Sequence, residues 1–313
     1  MKTDISQLPE VVRSLLLALR EDNFSGSIEL TLRAADVLLA LLSSSEVLAN
    51  SELSSKLECA CIALVEAQPA MAPIVNLCNI TLLDIDAARA VGDVRASVRE
   101  TCRRFAARVQ SSSSDISCQA VELIPDGATV LTFSRSLTVL TSLLHAREVG
   151  RSFQVICPES RPGGEGIRLA QELGEHGIVT NLVVDAAAFS MLSNAAVVIV
   201  GADAFSREGV VNKIGTKALA ALSSTLSIPF CVLCGTEKFL PPGYPAFRRD
   251  VRNPKELVAG ELANVVVTNE YFDLTPLNLV TNVVTERGVD DPAGLLGKLP
   301  PVPLHPRLAR LVG

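Results

Sequence analysis

A short apolar run followed by an acidic residue constrains this 313-residue chain more than any other feature. Val197–Val200 is β-branched and too short for a helix, so it predicts a buried strand. The run leads into the motif GAD, which places Asp203 where a parallel strand delivers its chemistry, at the carboxyl end. The pair Asn212 and Lys213, a helix and a second buried strand at Pro229–Cys234 follow. This order predicts a site for an anionic small molecule.

Strand-like runs alternate with helical patterns from residue 115 onward. Further strands are predicted at 129–133, 153–157, 180–184 and 263–268. Helices are predicted at 137–146, 167–175, 188–193 and 276–286. Strands that alternate with helices are typical of βαβ units, so we expect an α/β fold with a Rossmann-like, doubly wound, mostly parallel sheet.

The first 110 residues carry a different pattern, with apolar residues at helical spacing in five segments. The segment SSSSD at 111–115 is small, polar and turn-prone, and it separates the two patterns. We therefore expect an N-terminal helical domain over 1–114 and a Rossmann-like domain that carries the binding site over 115–313. The tail from residue 299 is rich in proline and predicts irregular structure.

Charge and hydropathy exclude two classes of partner. The net charge is −6 and no block of lysine and arginine occurs, so the chain lacks the electrostatic pattern of nucleic-acid binding. No apolar stretch approaches the roughly 18–20 residues that span a membrane. The N-terminal sequence is neither a secretory signal nor a transit peptide, which predicts a cytoplasmic protein.

The three histidines show no ligand spacing, and the eight cysteines contain one C-x-x-C pair. Most cysteines lie in apolar runs, which predicts reduced, buried thiols. Cys231 and Cys234 form a C-x-x-C inside a predicted strand, where residues three apart point to opposite faces. No second pair accompanies them, so no metal site is expected. His145, His176 and His305 are predicted to lie on the surface.

The predicted strand ends carry groups suited to a phosphate. Hydroxyls and backbone N–H groups of Ser134-Arg135-Ser136 precede a helix, where an anion is favoured. Asn212 and Lys213 precede a second helix start. Asp203 is the acid–base candidate, because burial at a strand end raises a carboxyl pKa; the alternative is that it caps a turn or pairs with Lys213. Other strand-end groups are Arg161, Lys238, Asp273 and Asp185, the last expected to cap the helix after it.

These motifs together resemble one protein family. The segment IVGADAFSREGVVNKIGTKALA, with VLTFSRS, PESRPGGEG, LVVDAA and NEYFDLTP, is similar to the initiation factor 2B alpha, beta and delta regulatory subunits. That family also contains isomerases of 5-methylthioribose 1-phosphate and ribose 1,5-bisphosphate. The resemblance covers residues 115–290 and implies an N-terminal helical domain, a Rossmann-like domain that dimerises, and no cofactor.

In the isomerases of this family, a cysteine after the first strand and the GAD aspartate carry the proton transfer. The Asn-Lys pair holds the substrate. Asp203, Asn212 and Lys213 match those positions, but Ser134 stands where the thiol would be. A thiol with a pKa of about 8.5 is readily ionised, whereas an unassisted serine hydroxyl is not.

Two phosphate clamps of the isomerases are also changed. Their R-G-A appears as Ser25-Gly26-Ser27, and an arginine before proline appears as Gln68. The loss of two guanidinium groups removes bidentate phosphate contacts. Arg135, Arg161 and Lys238 are left to supply part of the missing charge.

Three hypotheses follow from this pattern. The favoured one is a factor 2B-like regulatory or binding protein with a pocket for a phosphorylated sugar or nucleotide monophosphate. The second is an active aldose–ketose isomerase that uses Asp203 with Ser134. The third is a purely structural oligomerisation subunit. The expected partners are a second copy of the chain and a translation factor, if the organism has one.

Overall fold

The computed structural model describes residues 3–22, 25–44, 48–247, 251–260, 262–298 and 302–312. The chain divides into two units. The first unit contains residues 1–111, 237–245 and 300–313, and the second contains residues 112–236 and 246–299. The first unit is helical and the second is built on a mostly parallel sheet, so the predicted α/β fold is confirmed.

Long apolar helices form the first unit. They are α1 (Glu10–Glu21), α2 (Ser27–Ser44), α3 (Asn50–Ala67), α4 (Ala72–Val91), the first part of α5 (Val94–Ala120) and α11 (Pro306–Val312). α2 begins at Ser27, directly after Ser25 and Gly26. α4 runs without a break to Val91, and the N–H of the next residue, Gly92, donates to Ala88 O.

A seven-stranded sheet forms the second unit. In chain order its strands are β1 (Ala128–Leu131), β2 (Phe153–Pro158), β3 (Thr180–Val183), β4 (Val197–Val200), β7 (Phe230–Leu233), β9 (Asn282–Thr285) and β10 (Gly288–Asp290). Their order across the sheet is β10-β9-β7-β4-β1-β2-β3, and only β10 runs antiparallel. The six parallel strands therefore have the 3-2-1-4-5-6 order of a doubly wound Rossmann sheet.

Helices on both faces and a small second sheet complete this unit. The helices are α6 (Leu137–Glu148), α7 (Glu165–Glu175), α8 (Asp185–Met191), α9 (Thr216–Thr225) and α10 (Pro292–Lys298). The small antiparallel sheet, which was not predicted, contains β5 (Ala204–Phe205), β6 (Val210–Lys213) and β8 (Phe272–Thr275) in the order β5-β6-β8. The main core is aliphatic, with Val130, Val155 and Ile199 of the large sheet almost fully buried.

The serine-rich segment is helical rather than a turn. It lies inside α5, and the division between the two units falls within it, between Ser111 and Ser112. Ser113 and Ser117 are buried, and their hydroxyls bond to Thr138 and Thr141 of α6 at 3.2 and 3.3 Å. These hydroxyls join α5 to α6, while Ser111 and Ser114 of the same segment are exposed. Whether the functional domains divide at 114/115 stays a prediction.

Two predicted elements near the C-terminus are wrong. Residues 263–268 do not form a strand, because Asn264 adopts a left-handed φ of 59° that interrupts extended backbone. The helix predicted over 276–286 is a single 3-10 turn, Leu277–Leu279, followed by β9. The β-branched residues of β9 pair in parallel with β7, so their propensity for strand outweighed the helical spacing.

The tail is also more ordered than predicted, since residues 306–312 form α11; residues 299–301 and 313 lie outside the described residues. His305, expected on the surface, is 4% exposed. Its backbone N–H donates to Asn79 Oδ1, and its Nε2 lies 2.9 Å from Asp86 Oδ2. Asn79 in turn donates to Pro303 O, so three hydrogen bonds hold the tail against α4.

Candidate functional site

The carboxyl ends of β1 and β4 define the site. These strands are neighbours, and the chain order reverses between them, which makes this edge the topological switch point of the sheet. Ligands of open α/β sheets bind in the crevice outside this point. Ser134 follows β1 and Asp203 follows β4. The fold thus places the two candidate catalytic residues after adjacent strands, as the sequence predicted.

The Ser134–Ser136 turn offers an anion fewer groups than expected. Ser134 adopts a left-handed φ of 63°, and its N–H donates to Ser160 Oγ at 2.8 Å. Ser136 caps α6, because its Oγ accepts from Val139 N at 3.4 Å. The Ser134 N–H is therefore already bonded, and the Ser136 hydroxyl already accepts one bond, whereas the Ser134 hydroxyl has no hydrogen bond to another described residue.

The two arginines predicted to bind phosphate are engaged elsewhere. Arg135 forms a bidentate pair with Glu172, at 2.7 Å from Nε and 2.9 Å from Nη2, and its side chain is 7% exposed. The Arg135 guanidinium holds the pKa of Glu172 below its ordinary value. Arg161 Nη2 donates to Glu256 O at 3.2 Å. The charge of Arg135 is therefore neutralised within the protein.

Asp203 is half-buried at the entry to the small sheet, where its N–H donates to Val211 O at 2.8 Å. The glycine of GAD has a packing role, since a Cβ at Gly201 would lie 2.5 Å from Ser136 Oγ. This glycine lets the β4 end approach the α6 cap. Lys213, which the sequence offered as a partner for Asp203, pairs with Glu165.

Asn212 and Lys213 are buried on β6 rather than placed in a loop. Asn212 Nδ2 donates to Thr216 Oγ1 at 3.1 Å. Lys213 Nζ lies 2.5 Å from Glu165 Oε1 and 4.2 Å from the centre of the Tyr271 ring. The ammonium thus has both an ionic and a cation–π partner.

Glu165 is a site residue that the sequence analysis did not single out. Its Oε1 accepts from Lys213, whereas Oε2 is buried and has no hydrogen-bond partner. A Cβ at Gly163 would lie 2.5 Å from Glu165 Oε1, so the carboxylate occupies the space that this glycine leaves open. The sequence signal for Glu165 was the motif PGGEG, in which small residues precede an acidic residue at the start of a helix.

The start of α9, predicted as a second anion site, is occupied by Asp273. Its Oδ2 accepts from Gly215 N at 2.8 Å and from Lys217 N at 3.1 Å. Burial raises the pKa of Asp273 to about 6, and the two N–H donors oppose that rise only in part. The carboxylate fills the place where a phosphate was expected.

Asp185 does not cap the helix that it begins, contrary to the prediction. Its two carboxylate oxygens accept from Ser160 N and Arg161 N, both at 2.7 Å. These amides belong to the loop that follows β2, the neighbouring strand. Asp185 therefore links the ends of two adjacent strands.

The remaining predicted ligand residues lie in the first unit. Ser25 N and Gly26 N donate to Asp22 Oδ1 and Glu29 Oε2. Gln68, 1% exposed, donates from Nε2 to Leu19 O and Asp22 O at 2.8 and 3.1 Å. Ser27 and Lys238 are both buried. At the position of a phosphate-binding arginine, Gln68 instead bonds to the end of α1.

The cysteines are free thiols, and most of them are buried. Seven of the eight cysteines are buried and Cys118 is exposed; none forms a disulfide. Burial raises the pKa of both Cys157 and Cys231, strand residues of the large sheet, to about 12, so they remain thiols at neutral pH. Within the described ranges, no three His, Cys, Asp or Glu residues group as metal ligands. No helix among those ranges has the length and apolar character needed to cross a membrane.

The sequence matches the model of the initiation factor 2 subunit family, IF-2B, over residues 23–292. The chain belongs to the initiation factor 2 subunit family. This confirms the resemblance inferred from the GAD and NKIGT motifs. Members of the family that resemble this chain include both factor-like proteins and sugar-phosphate isomerases.

Three comparisons illustrate this range. A translation initiation factor eIF-2B subunit 2-like protein of Pyrococcus horikoshii is 32% identical, over 90% of this chain and 97% of its own length. A ribose 1,5-bisphosphate isomerase of Haloferax volcanii is also 32% identical, over 74% of both chains. The crystal structure of translation initiation factor eIF-2B from Pyrococcus horikoshii superimposes with a TM-score of 0.78 at 30% identity, covering 91% of this chain and 98% of that one.

Proposed function

We propose that this protein is a factor 2B-like regulatory or binding protein that holds a phosphorylated sugar or a nucleotide monophosphate without turning it over. Ser134 carries the proposal, because it stands at the site's switch point where the isomerases of the family use a thiol. The pKa of a serine hydroxyl is far above neutrality unless a base assists it. No described cysteine of the large sheet replaces the thiol, since Cys157 and Cys231 are buried and protonated.

The polar groups of the site are better suited to the sugar of a ligand than to its phosphate. Lys213 of the Asn-Lys pair forms an ion pair with Glu165. Arg135, which follows Ser134 in the sequence, forms an ion pair with Glu172. A paired cation attracts a phosphate less strongly than a bare one does. The partly exposed hydroxyl of Ser134 and the uncommitted Glu165 Oε2 suit the hydroxyl groups of a sugar. Asn212 and Lys213 complete the proposed ligand contacts.

An active aldose–ketose isomerase is the second candidate function. The intact Asp203, Asn212 and Lys213 favour it, as does the similarity to a ribose 1,5-bisphosphate isomerase. In this mechanism Asp203 moves the proton between the two sugar carbons, and Ser134 holds the developing oxyanion by a hydrogen bond. We also propose that the protein is cytoplasmic and forms a homodimer through the Rossmann-like domain. It would bind a translation factor if the organism has one.

A ligand screen tests both candidates. The protein is heated with ribose 1,5-bisphosphate, 5-methylthioribose 1-phosphate, AMP or GMP, and each stabilising compound is titrated by calorimetry. NMR of the sugar carbons then reports whether an aldose becomes a ketose. The binding role predicts a saturable ligand and no ketose. Turnover that disappears in Asp203→Asn would establish the isomerase instead, and no stabilisation by any compound would contradict both.

A pair of lysine variants shows whether a hit occupies this site. Lys213→Gln removes the buried ammonium, whereas Lys217→Gln removes an exposed one four residues later. The proposed contacts predict a loss of about tenfold or more in affinity for Lys213→Gln, the value of one charged hydrogen bond. Lys217→Gln is expected to change the affinity much less. Equal effects would place the ligand elsewhere.

A further inference from the structure

The ends of three adjacent strands are joined by a chain of hydrogen bonds. Asp185, after β3, accepts from the amides of Ser160 and Arg161 in the loop after β2. Ser160 Oγ accepts from Ser134 N, after β1, at 2.8 Å, and lies 3.1 Å from Pro158 O, to which it donates. Both roles of the Ser160 hydroxyl are therefore used, which fixes its orientation.

This chain of hydrogen bonds holds two turns in a backbone conformation that is unfavourable in free energy for serine. Ser134 and Ser160 both have a φ of 63°, in the left-handed region. For residues other than glycine this region costs roughly 1–2 kcal/mol. Ser160 is completely buried and Asp185 is half-buried, so neither bond is readily replaced by water. The strain persists because Asp185 and Ser160 supply acceptors for these amides.

The loop held by Asp185 also begins α7, where Glu165 lies. Gly164 N donates to Ser160 O and Gly166 N donates to Glu159 O, which folds the loop onto the start of α7. A Cβ at Gly166 would lie 1.8 Å from Pro158 O, so only glycine permits this approach. The same loop therefore supports the Ser134 turn and the partner of Lys213.

We propose that Asp185 and Ser160 are positioning residues: they fix the Ser134 turn and the Glu165 loop in the geometry that a phosphorylated ligand requires. This inference rests on the proposed ligand site at the switch point. Because the Ser134 N–H is bound to Ser160, the hydroxyl is the group of Ser134 that remains for a ligand, and the backbone turn sets the position from which it projects. Neither Asp185 nor Ser160 contacts the ligand.

The test compares Asp185→Asn and Ser160→Gly with Asp126→Asn in the full-length protein. Glycine adopts the left-handed φ of Ser160 without strain, so Ser160→Gly removes the hydroxymethyl group without imposing a new backbone clash. Asp126 is a matched control, because its Oδ1 accepts from Ser152 N at 2.7 Å at the opposite end of β1 and β2. Binding is measured by calorimetry with ribose 1,5-bisphosphate and with AMP.

We expect Asp185→Asn and Ser160→Gly each to weaken the binding of whichever probe the wild type binds more tightly by about tenfold or more. This is the effect of losing one hydrogen bond to a charged group. Asp126→Asn is expected to lower the melting temperature without changing the affinity. If the wild type binds a probe and both site variants bind it equally well, the positioning role is wrong. If the wild type binds none of the four compounds of the ligand screen, the proposed function fails.

A ligand-free measurement keeps the positioning role testable in either case. In protein labelled with ¹⁵N-serine, Ser160→Gly and Asp185→Asn are expected to shift the Ser134 amide resonance and to speed its hydrogen exchange. Asp126→Asn is expected to leave both unchanged. An unchanged Ser134 amide in the two site variants would overturn the inference whatever the ligand experiments give.

Discussion

Lys213 Nζ lies 2.5 Å from Glu165 Oε1, in a pair whose side chains are only 5% and 15% exposed. The two residues are 48 positions apart and come from β6 and the start of α7. The cation that the sequence assigns to a phosphate is thus neutralised by a carboxylate of the protein. This pair determines how strongly the site attracts an anion.

Glu165→Gln is predicted to tighten phosphate binding while it destabilises the fold. Removing one partner of a buried ion pair leaves an uncompensated charge and costs about 3–5 kcal/mol. The bare ammonium then gains about tenfold or more in affinity for AMP or inorganic phosphate. Calorimetry gives the affinity, and thermal unfolding with and without phosphate gives the stability.

Glu58→Gln is a control for the destabilisation. Glu58 is 7% exposed and pairs with Arg89 and Arg307 at 2.6 and 2.5 Å in the first unit. Its loss is expected to lower stability without tightening phosphate binding. A Glu165→Gln protein with unchanged affinity would show that Lys213 does not contact the anion.

Ser134→Cys is predicted to introduce or increase isomerase turnover if only the thiol separates this site from an enzyme. A thiol at this turn ionises near its ordinary pKa of about 8.5, so turnover should rise with pH toward that value. The conversion of ribose 1,5-bisphosphate is followed by NMR, with Ser134→Ala as the control. A Ser134→Cys protein that is inactive at every pH, yet binds the sugar, would mean that further catalytic groups are absent.

The sequence predicted five of the six parallel strands, all except β9, and the residues that follow those five, because the short apolar runs and the motifs after them are local signals. It did not predict partners that come from distant segments. Glu165 and Asp273 lie 48 and 58 residues from the groups they contact. The small sheet was missed for the same reason, since β6 pairs with β8 some 60 residues later. The spacing of the motifs along the chain shows which groups lie at the strand ends. Only the tertiary packing shows which of their charges are neutralised by residues from distant segments.

Gly201→Ala is predicted to destabilise the second unit by about 2–3 kcal/mol. The new methyl group would overpack the site and weaken the cap of α6. The new Cβ would lie 2.5 Å from Ser136 Oγ and 2.6 Å from Ser136 Cβ, and Ser136 caps α6. Gly174→Ala is the control, because nothing lies within 4 Å of a Cβ at this helical position. It should be neutral or stabilising by up to about 1 kcal/mol. Urea unfolding monitored by circular dichroism measures both, and equal stability of the two variants would contradict the packing role of Gly201.

Asp273 is predicted to make stability fall as the pH rises from about 4 to about 6. Burial raises its pKa from 3.8 to about 6, so within this window the folded protein binds a proton that the unfolded chain has lost. The stabilisation is complete below the unfolded pKa and is lost as the pH passes through the folded one. Two pKa units correspond to about 3 kcal/mol.

Asp273→Asn, which cannot titrate, isolates this contribution: the difference in unfolding free energy, wild type minus variant, should fall by about that amount between pH 4 and pH 7. A difference that is constant with pH would show that the Asp273 carboxylate at the start of α9 is ionised at its ordinary pKa.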